Sequence, residues 1–258
     1  MQPTICLSFD LEEFDMPLEY GQYIPEEEQM AKANEGVLPL LALLDKYSIK
    51  ATFFITANYA QHNKAIVQRI AQSHEIASHG LYHSSFKVQD LLQSRIILEE
   101  ITQQKVLGYR MARMAPVSNT DVLNAGYTYN SSLNPTYLPG RYNNFKAPRY
   151  IHTTPEGLIV VPASVSPVVR VPLFWLSFKN IAPRVYNWLC KHTLRKDGVL
   201  NIYFHPHEFA NISSYQLPSY TKNPCGEALL TRLEALILYL ATLGNFNTII
   251  NHVQSKAK

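Results

Sequence analysis

The sequence predicts an α/β fold built on a parallel sheet, either a barrel or a doubly wound sheet. Two observations support this prediction. Short apolar runs rich in strand-forming residues recur along the chain and end abruptly at a polar residue, as in 4–9, 51–56 and 200–204. Segments with apolar residues at helical spacing lie between them. Because strands that alternate with helices usually pair in parallel, the sequence indicates a parallel sheet.

The predicted elements follow one another along most of the chain. Besides the three apolar runs, shorter strand candidates lie at 75–78, 106–109, 127–130, 159–161 and 246–250. Helices are predicted over 36–47, 64–72, 88–101 and 227–243. The stretch 134–171 is rich in Pro and Gly, which favour turns, and it is expected to form an irregular insert above the sheet. No linker or internal repeat is evident, so we expect a single domain over residues 1–258.

The composition is that of a folded globular protein. Of 258 residues, 47% are apolar and 17% are charged, which excludes wholesale disorder. A net charge of +3 is too small for a dedicated nucleic-acid-binding protein. The sequence shows no signal-peptide pattern and no run of about 18 apolar residues, so a cytoplasmic location is expected. The three cysteines lack the spacing of a zinc site or a disulfide framework and are expected to be reduced thiols.

Positive charge is concentrated between residues 141 and 196. One interpretation is a surface that meets an anionic membrane, or a lipid-diphosphate-linked sugar, from the cytoplasmic side. The other is an amphipathic helix that faces the core while its Lys and Arg side chains reach the solvent. Against one acidic residue, Glu156, the stretch holds nine basic residues: Arg141, Lys146, Arg149, Arg170, Lys179, Arg184, Lys191, Arg195 and Lys196.

Two carboxylates follow the first predicted strand. Asp10 and Glu12 are two residues apart, so in extended backbone both side chains project to one side while Leu11 faces the other. Two like charges at one place are costly unless a cation or a shared proton relieves them. This pattern suggests a metal ligand beside a general base. The alternative is a pair of solvated loop carboxylates.

A pair of histidines follows the strand predicted at 75–78. His79 and His83 are four residues apart, and in a helical turn this spacing places both imidazoles on one face. Two such imidazoles can hold one Zn²⁺ at about 2.0–2.1 Å. The spacing also arises by chance in a chain with nine histidines. Its position after a strand, with the small Gly80 between the histidines, favours a metal site.

Another pair of histidines follows the strand predicted at 200–204. Pro206 favours extended backbone at His205 and ends this strand, so His205 is expected at the end of the sheet. We predict a function for His205, whereas His207 is interpreted as a surface histidine.

An arginine follows the strand predicted at 106–109. The guanidinium of Arg110 has five donors suited to orienting a carboxylate, although Arg113 competes for this role. In α/β proteins, active sites form beyond the carboxyl ends of the strands. The residues that share this placement are Asp10, Glu12, His79, His83, Arg110 and His205.

These residues, in this order, resemble the motifs of the metal-dependent polysaccharide deacetylases of the NodB-homology type, carbohydrate esterase family 4. The resemblance implies a distorted (β/α) barrel of about seven parallel strands. It also implies a divalent metal ion and an N-acetylated glycan as substrate. Two imidazoles and one carboxylate make Zn²⁺ the expected ion, and the basic stretch makes a lipid-linked sugar the other expected substrate. The matching segments span almost the whole chain: Ser8-Phe9-Asp10-Leu11-Glu12, His79-Gly80-Leu81-Tyr82-His83, Gly108-Tyr109-Arg110 and Leu200-Asn201-Ile202-Tyr203-Phe204-His205.

The resemblance also implies a role for each residue. Asp10 is the expected general base, oriented by Arg110, and His205 is the expected general acid. His79 and His83 are the expected metal ligands.

The chain departs from the family pattern at two places. The family has two adjacent aspartates in its first motif, the second of them a metal ligand, whereas Leu11 stands there and cannot coordinate. Glu12 is therefore the expected third ligand, and the division of roles between Asp10 and Glu12 stays open. The family also has Pro two residues after the Arg, where this chain has Ala112, so the choice between Arg110 and Arg113 stays open.

Two alternative functions are compatible with these residues. The same site would serve a related enzyme that cleaves another amide, such as a formyl group or a cyclic ureide. The second alternative is a catalytically silent glycan-binding or assembly protein whose site has decayed through changes like Leu11. Retention of Asp10, both metal-site histidines and His205 argues against this second alternative.

Overall fold

A computed structural model describes residues 2–256. The strands are β1 (Thr4–Leu11), β2 (Thr52–Ile55), β3 (Glu75–Ser78), β4 (Gly108–Tyr109), β5 (Tyr129–Asn130), β6 (Tyr137–Leu138), β7 (Tyr142–Asn143), β8 (His152–Thr153), β9 (Ile159–Val160), β10 (Val199–Phe204) and β11 (Asn245–Phe246). Within the described residues, seven strands run parallel in the order β10, β1, β2, β3, β4, β5, β9. Strand β8 pairs antiparallel with β9, and β11 pairs with β1. The predicted α/β fold class is confirmed.

Helices connect most of these strands. In the described range they are α1 (Met16–Glu19), α2 (Glu26–Lys46), α3 (Ala57–His62), α4 (Lys64–Ala71), α5 (Gln89–Thr102), α6 (Asn119–Asn124), α7 (Trp175–Asn180), α8 (Pro183–Asp197), α9 (Ser219–Lys222), α10 (Gly226–Ala241) and α11 (Ile249–Lys256). Short 3₁₀ turns at Ala112–Met114 and Pro206–Phe209 follow β4 and β10. These two turns lie next to the site described below.

The sheet curls into a half-barrel. Within residues 2–256, no strand pair joins β9 to β10. Instead, the N–H of Ser164, just after β9, donates to the carbonyl of Asn201 in β10 at 2.8 Å. The N–H of Asn201 donates in return to Ser164 Oγ at 2.8 Å. These two hydrogen bonds bridge the ends of the sheet, so the predicted barrel is only partly closed.

The pairing register brings the carboxyl ends of the central strands to one edge of the sheet. Phe9 in β1 is opposite Phe204 in β10, and Ser78 in β3 is opposite Tyr109 in β4. Both faces of β1 are covered, which explains its nearly continuous apolar sequence. Side chains that follow these strands are therefore neighbours in space.

Helix α2 is longer than the predicted helix over 36–47. It begins at Glu26 because the acidic run that starts there forms its first turn, where carboxylates interact favourably with the helix dipole. Gly36 then lies in its middle, and a Cβ added there would be 1.9 Å from the carbonyl oxygen of Pro206. Glycine at this position lets α2 approach the turn after β10, next to the site.

The prediction of a strand at 246–250 is wrong beyond Phe246, because α11 begins at Ile249. The N–H of Ile249 donates to Thr52 Oγ1 at 2.9 Å, and that of Ile250 donates to the Glu75 carboxylate at 3.0 Å. Buried side chains from β2 and β3 thus satisfy the first N–H groups of this helix.

The stretch 134–171, predicted as irregular, contains short strands. Strands β6 and β7 form an antiparallel pair, and β8 extends the main sheet. The turn between β6 and β7 carries Arg141, whose N–H donates to the carbonyl of Leu138 at 3.1 Å. This turn borders the cavity described below.

The basic stretch between residues 141 and 196 makes several folding contacts. Arg149 pairs with Asp197, and the ammonium of Lys179 is buried 3.2 Å from Glu208. Helix α8 has a buried face, so the amphipathic-helix interpretation is confirmed for this part of the stretch. Contact with a membrane surface stays a prediction. No helix in residues 2–256 is long and apolar enough to cross a membrane.

Candidate active site

Polar residues from separate strand ends come together around one cavity. Asp10 lies at the carboxyl end of β1 and Glu12 directly follows this strand, while His79 follows β3 and His205 follows β10. These residues and His83 line a cavity of about 340 Å³. Five of the six residues predicted from the sequence thus face the same cavity. The sixth, Arg110, is fully buried behind Asp10.

Glu12, His79 and His83 form the candidate metal centre. Each offers one ligand atom, and these atoms lie within 4.8 Å of one another. Glu12 Oε2 is 2.9 Å from His79 Nε2 and 3.3 Å from His83 Nε2. The three side chains are at most 10% exposed, so water cannot fully compensate the Glu12 charge.

Hydrogen bonds fix which nitrogen of each imidazole faces Glu12. His79 Nδ1 is 2.9 Å from the Arg110 carbonyl, which can only accept, so Nδ1 carries the proton. His83 Nδ1 likewise donates to Asp15 Oδ1 at 2.8 Å. In the neutral rings, both Nε2 lone pairs therefore face Glu12 Oε2, which accepts no well-aligned hydrogen bond from residues 2–256. Three buried acceptors that face one another fit a bound cation.

The two histidines do not lie on a helical turn, contrary to the prediction from their spacing. The chain after β3 is irregular, and Gly80 adopts a φ of +90°. The carbonyls of Gly80 and Leu81 accept hydrogen bonds from the N–H groups of Ala57 and Asn58 in α3. Helix α3 therefore holds this loop in place. The two imidazole rings stack with centroids 6.0 Å apart.

The charges of the cluster favour a cation at this place. Burial alone would raise the pKa of Glu12, but His83 and His79 outweigh burial and hold this pKa well below its usual value. Burial likewise disfavours the charged form of His83, yet Glu12 and Asp15 raise the pKa of His83 to about 9. A divalent ion would supply the positive charge once His83 is deprotonated.

Arg110 holds Asp10 from behind the cavity. Its Nη1 donates to Asp10 Oδ1 at 2.5 Å, and its Nη2 donates to Ser8 Oγ and Ser131 Oγ, both at 3.0 Å. The guanidinium also lies over the Phe54 ring, 3.9 Å from the ring centroid. These contacts fix the direction of the Asp10 carboxylate.

Arg113 lies elsewhere. It contacts Glu19 at 2.8 Å and Asp15 at 3.6 Å, at the opening of the cavity. The sequence left open whether Arg110 or Arg113 contacts Asp10, and in the structure it is Arg110.

Replacing Arg110 by methionine should lower the free energy of unfolding by about 3–5 kcal/mol, because Asp10 would stay buried without its cation. Urea denaturation of the metal-free protein measures this loss. The double variant Asp10→Asn/Arg110→Met should recover part of the stability, since it leaves no unpaired charge. A double variant as unstable as Arg110→Met would contradict the ion pair as the cause.

His205 belongs to a second buried group of charges. Its Nδ1 donates to Glu208 Oε1 at 2.7 Å, and Glu208 Oε2 is 3.2 Å from the Lys179 ammonium. Burial lowers the pKa of His205, but the hydrogen bond to Glu208 and the charge of Glu12 outweigh burial and raise this pKa. The ring of Trp175 packs edge-on against His205, with centroids 5.3 Å apart. His205 is thus held in one orientation and favours its charged form.

His207 is not the surface histidine that the sequence suggested. It is 2% exposed, stacks on His205 with centroids 5.2 Å apart and packs against Phe14. Burial first, and the charge of His205 second, lower the pKa of His207 to about 3. The reason for this burial is that α2 covers the turn Pro206–Phe209. Local sequence does not reveal such a contact.

Reasoning from the sequence did not identify three side chains that support the site. Asp15 orients His83, Glu208 orients His205, and Lys179 neutralises Glu208. For Glu208 a signal exists, since it follows His205 by three residues and also accepts from the His205 N–H at 3.1 Å. Lys179 comes from a distant helix, and no local pattern marks it.

The amino-terminal half of the chain matches a known protein family. Residues 4–129 match the family model described as polysaccharide deacetylase. By this match, residues 4–129 belong to the polysaccharide deacetylase family. The matched segment contains Asp10, Glu12, His79 and Arg110, whereas His205 lies beyond it. Family members are usually hydrolases, although pseudoenzymes occur among them.

Solved structures share this fold over nearly the whole chain. A putative polysaccharide deacetylase from Mycobacterium smegmatis has a TM-score of 0.61 at 19% identity, covering 92% of this chain and 83% of that chain. The allantoinase PuuE has a TM-score of 0.65 at 16% identity, covering 96% and 88%. A family 4 pseudoenzyme from Bacillus anthracis has a TM-score of 0.53 at 12% identity, covering 97% and 65%. At these identities the similarity establishes the fold.

A curated relative matches only a short segment. The uncharacterized protein YlxY of Bacillus subtilis strain 168 is 36% identical over 55 residues. This match covers 21% of the chain and 17% of YlxY, so the chain spans less than a fifth of that relative's length.

Proposed function

We propose that this protein is a metal-dependent hydrolase that removes N-acetyl groups from an N-acetylated sugar or glycan. The observation that carries the proposal is that one cavity contains both the candidate metal centre and the ion-paired carboxylate Asp10. His205 completes the set as a proton donor in the same cavity. The family supports a carbohydrate as the class of substrate.

Glu12, His79 and His83 would hold the metal ion. Zn²⁺ suits two imidazoles and one carboxylate, a set that leaves a coordination position open. Asp15 and the Arg110 carbonyl orient the imidazoles through their other nitrogens, as partners of metal ligands commonly do. When bound, the ion supplies Lewis-acid chemistry that polarises the acyl oxygen and makes water more acidic.

Asp10 is the proposed general base. Arg110 holds its Oδ1, while Oδ2 accepts no hydrogen bond from the described residues 2–256 and is left to take the proton of the attacking water. Arg110 also offsets the negative charge of the carboxylate. The backbone carbonyl of the same arginine accepts a hydrogen bond from His79 Nδ1, so Arg110 positions both the proposed base and a proposed metal ligand.

His205 is the proposed general acid. Because its Nδ1 donates to Glu208, its Nε2 is the nitrogen left to give a proton to the departing amine. The hydrogen bond to Glu208 raises the pKa of His205 and so favours the protonated ring that a general acid needs. The products are acetate and a free amino sugar.

Hydrolysis of another amide is the second candidate function. The structural similarity to an allantoinase supports it, since the same residues would also serve a formyl group or a cyclic ureide. Binding without catalysis is a third candidate, in view of the pseudoenzyme with the same fold. The intact set of base, ligands and acid argues against that third candidate.

The proposed function is tested by offering the zinc-loaded protein N-acetylated chitooligosaccharides, their N-formylated analogues and allantoin. We expect acetate release that stops on chelation and resumes when Zn²⁺ is restored. Release of formate or cleavage of allantoin, without release of acetate, would replace the proposed activity by the second candidate. Saturable glycan binding without any cleavage would instead identify a binding protein.

Replacing Glu208 by glutamine should move the alkaline limb of the pH–rate profile to lower pH. Glu208 raises the pKa of His205, and His205 acts as an acid only while protonated, so activity is lost as the pH rises through this pKa. Measurement of kcat/KM across the neutral and alkaline range locates the limb. Glu156→Gln, at an exposed turn, is the matched control and should leave it in place. A Glu208→Gln profile identical to that of the unmodified protein would argue against His205 as the acid.

A further inference from the structure

Two arginines stand where the cavity opens. Arg113 and Arg141 line the cavity of about 340 Å³ that contains the proposed catalytic groups. They also line a second cavity of about 310 Å³ beside it, and Met114 and Tyr142 are shared by both. The groove therefore continues from the candidate metal centre to these two cations.

Both arginines keep most of their hydrogen-bond donors unused. Arg113 Nη2 is 2.8 Å from Glu19 Oε1, and Arg141 Nη2 is 3.8 Å from Glu19 Oε2. Arg113 Nη2 also lies 3.6 Å from Asp15 Oδ2. Within residues 2–256, no well-aligned hydrogen bond joins the Nε or Nη1 of either arginine to a carboxylate. A guanidinium has five donors in a fork that matches a carboxylate or a phosphate, so the pair has capacity for a further anion.

The backbone presents both arginines from ordered turns. Arg113 and Met114 have φ values of +57° and +52°, in the left-handed region that residues other than glycine rarely occupy. Such strain persists where the surroundings hold it, and it concentrates at functional sites. Here Met114 anchors the turn, since its side chain is buried against Phe174 and Tyr203. Arg141 lies in the turn that joins β6 and β7.

We infer that Arg113 and Arg141 form a subsite for an anionic group of the substrate, a carboxylate or a phosphate carried by the N-acetylated sugar or by the unit next to it. This inference rests on the proposed function, because it names the substrate class of the same site. Glu19 lies between the two guanidiniums and shows that the gap accepts a carboxylate. Its side chain is 31% exposed, so the substrate anion takes its place while Glu19 turns to the solvent.

The test compares three ligands that share an N-acetyl group: N-acetylglucosamine, its 1-phosphate and N-acetylglucosaminuronic acid. For at least one anionic ligand, kcat/KM should exceed that of the neutral sugar by about tenfold or more, as expected for hydrogen bonds to charged groups. Arg141→Gln should reduce this anionic-to-neutral ratio by a similar factor, while Glu19→Gln should raise it by removing a competing carboxylate. Which anionic ligand is preferred distinguishes a phosphate from a carboxylate.

Arg141 is a sharper target than Arg113, because Arg113 also contacts Asp15, the partner of His83. Arg184→Gln is the matched control, since Arg184 is an exposed cation on α8. The anionic-to-neutral ratio of kcat/KM in this variant should equal that of the unmodified protein. The subsite is overturned if the unmodified protein shows no anionic preference or if Arg141→Gln keeps it. An equal loss of kcat/KM on neutral and anionic ligands in Arg141→Gln also overturns it.

Calorimetric titration of the same ligands separates this inference from the proposed function. Binding of an anionic ligand that weakens in Arg141→Gln, without release of acetate from any ligand, supports the subsite and counts against deacetylation. Release of acetate with equal kcat/KM for all three ligands supports deacetylation and overturns the subsite.

Discussion

Replacing His79 or His83 by alanine should empty the metal site and lower kcat/KM for acetate release by about 10³-fold or more. Each substitution removes one of the two imidazoles among the three proposed ligands. The Lewis acid that would be lost accounts for several kcal/mol of transition-state stabilisation, and about 1.4 kcal/mol corresponds to each factor of ten. Glu12→Gln should have the same effect, because it removes the charged oxygen nearest to both Nε2 atoms. Elemental analysis gives the metal content per chain, and acetate release gives the rate.

The matched control for these variants is His192→Ala. His192 is an exposed histidine on α8 that stacks on Trp188 and does not line the cavity. The His192→Ala variant should keep both the metal content and the rate of acetate release of the unmodified protein. If His79→Ala and His83→Ala both retained a full complement of metal, the ligand assignment would be wrong.

Asp10→Asn should keep the metal and yet lower kcat by about 10²–10⁴-fold, the usual effect of losing a general base. The amide oxygen of asparagine can still accept from Arg110 Nη1, so the buried arginine keeps a hydrogen bond. The amide cannot take the proton of the attacking water. Metal content and turnover measured on the same preparation test both parts of this prediction.

Glu12→Gln is the comparison variant for Asp10→Asn. The two carboxylates lie two residues apart, but Asp10 pairs with Arg110 whereas Glu12 faces the two imidazoles. We therefore expect loss of metal in Glu12→Gln alone. The opposite pattern, with metal lost in Asp10→Asn and kept in Glu12→Gln, would exchange the two roles. Thermal unfolding of both variants shows whether the fold is retained.

Asp15 and Glu208 explain how a site with Leu11 in place of a carboxylate can still be ordered. Asp15 holds His83 and Glu208 holds His205, each through the Nδ1 atom of the imidazole. Both carboxylates are buried, so their hydrogen bonds are shielded from competition with water. The imidazoles are thereby oriented before any substrate binds.

The sequence by itself determined the central strands of the sheet and the polar residues at their carboxyl ends. Strand β3 was predicted with its observed bounds, and α4 differs from its prediction by one residue, because apolar spacing within a short window specifies a buried face. Since parallel strands end at a common edge, the same reasoning predicted that Asp10, His79 and His205 meet. No pairing information was needed for that step.

Only the tertiary structure decided which side chains support these residues. Asp15 reaches His83 across 68 positions of the chain, and Lys179 reaches Glu208 from another helix. The burial of His207 and the start of α11 likewise depend on α2 and on Thr52 and Glu75, which are remote in sequence. Their hydrogen bonds and burial arise only when the sheet curls and brings distant segments together, and a local window of sequence does not contain those partners.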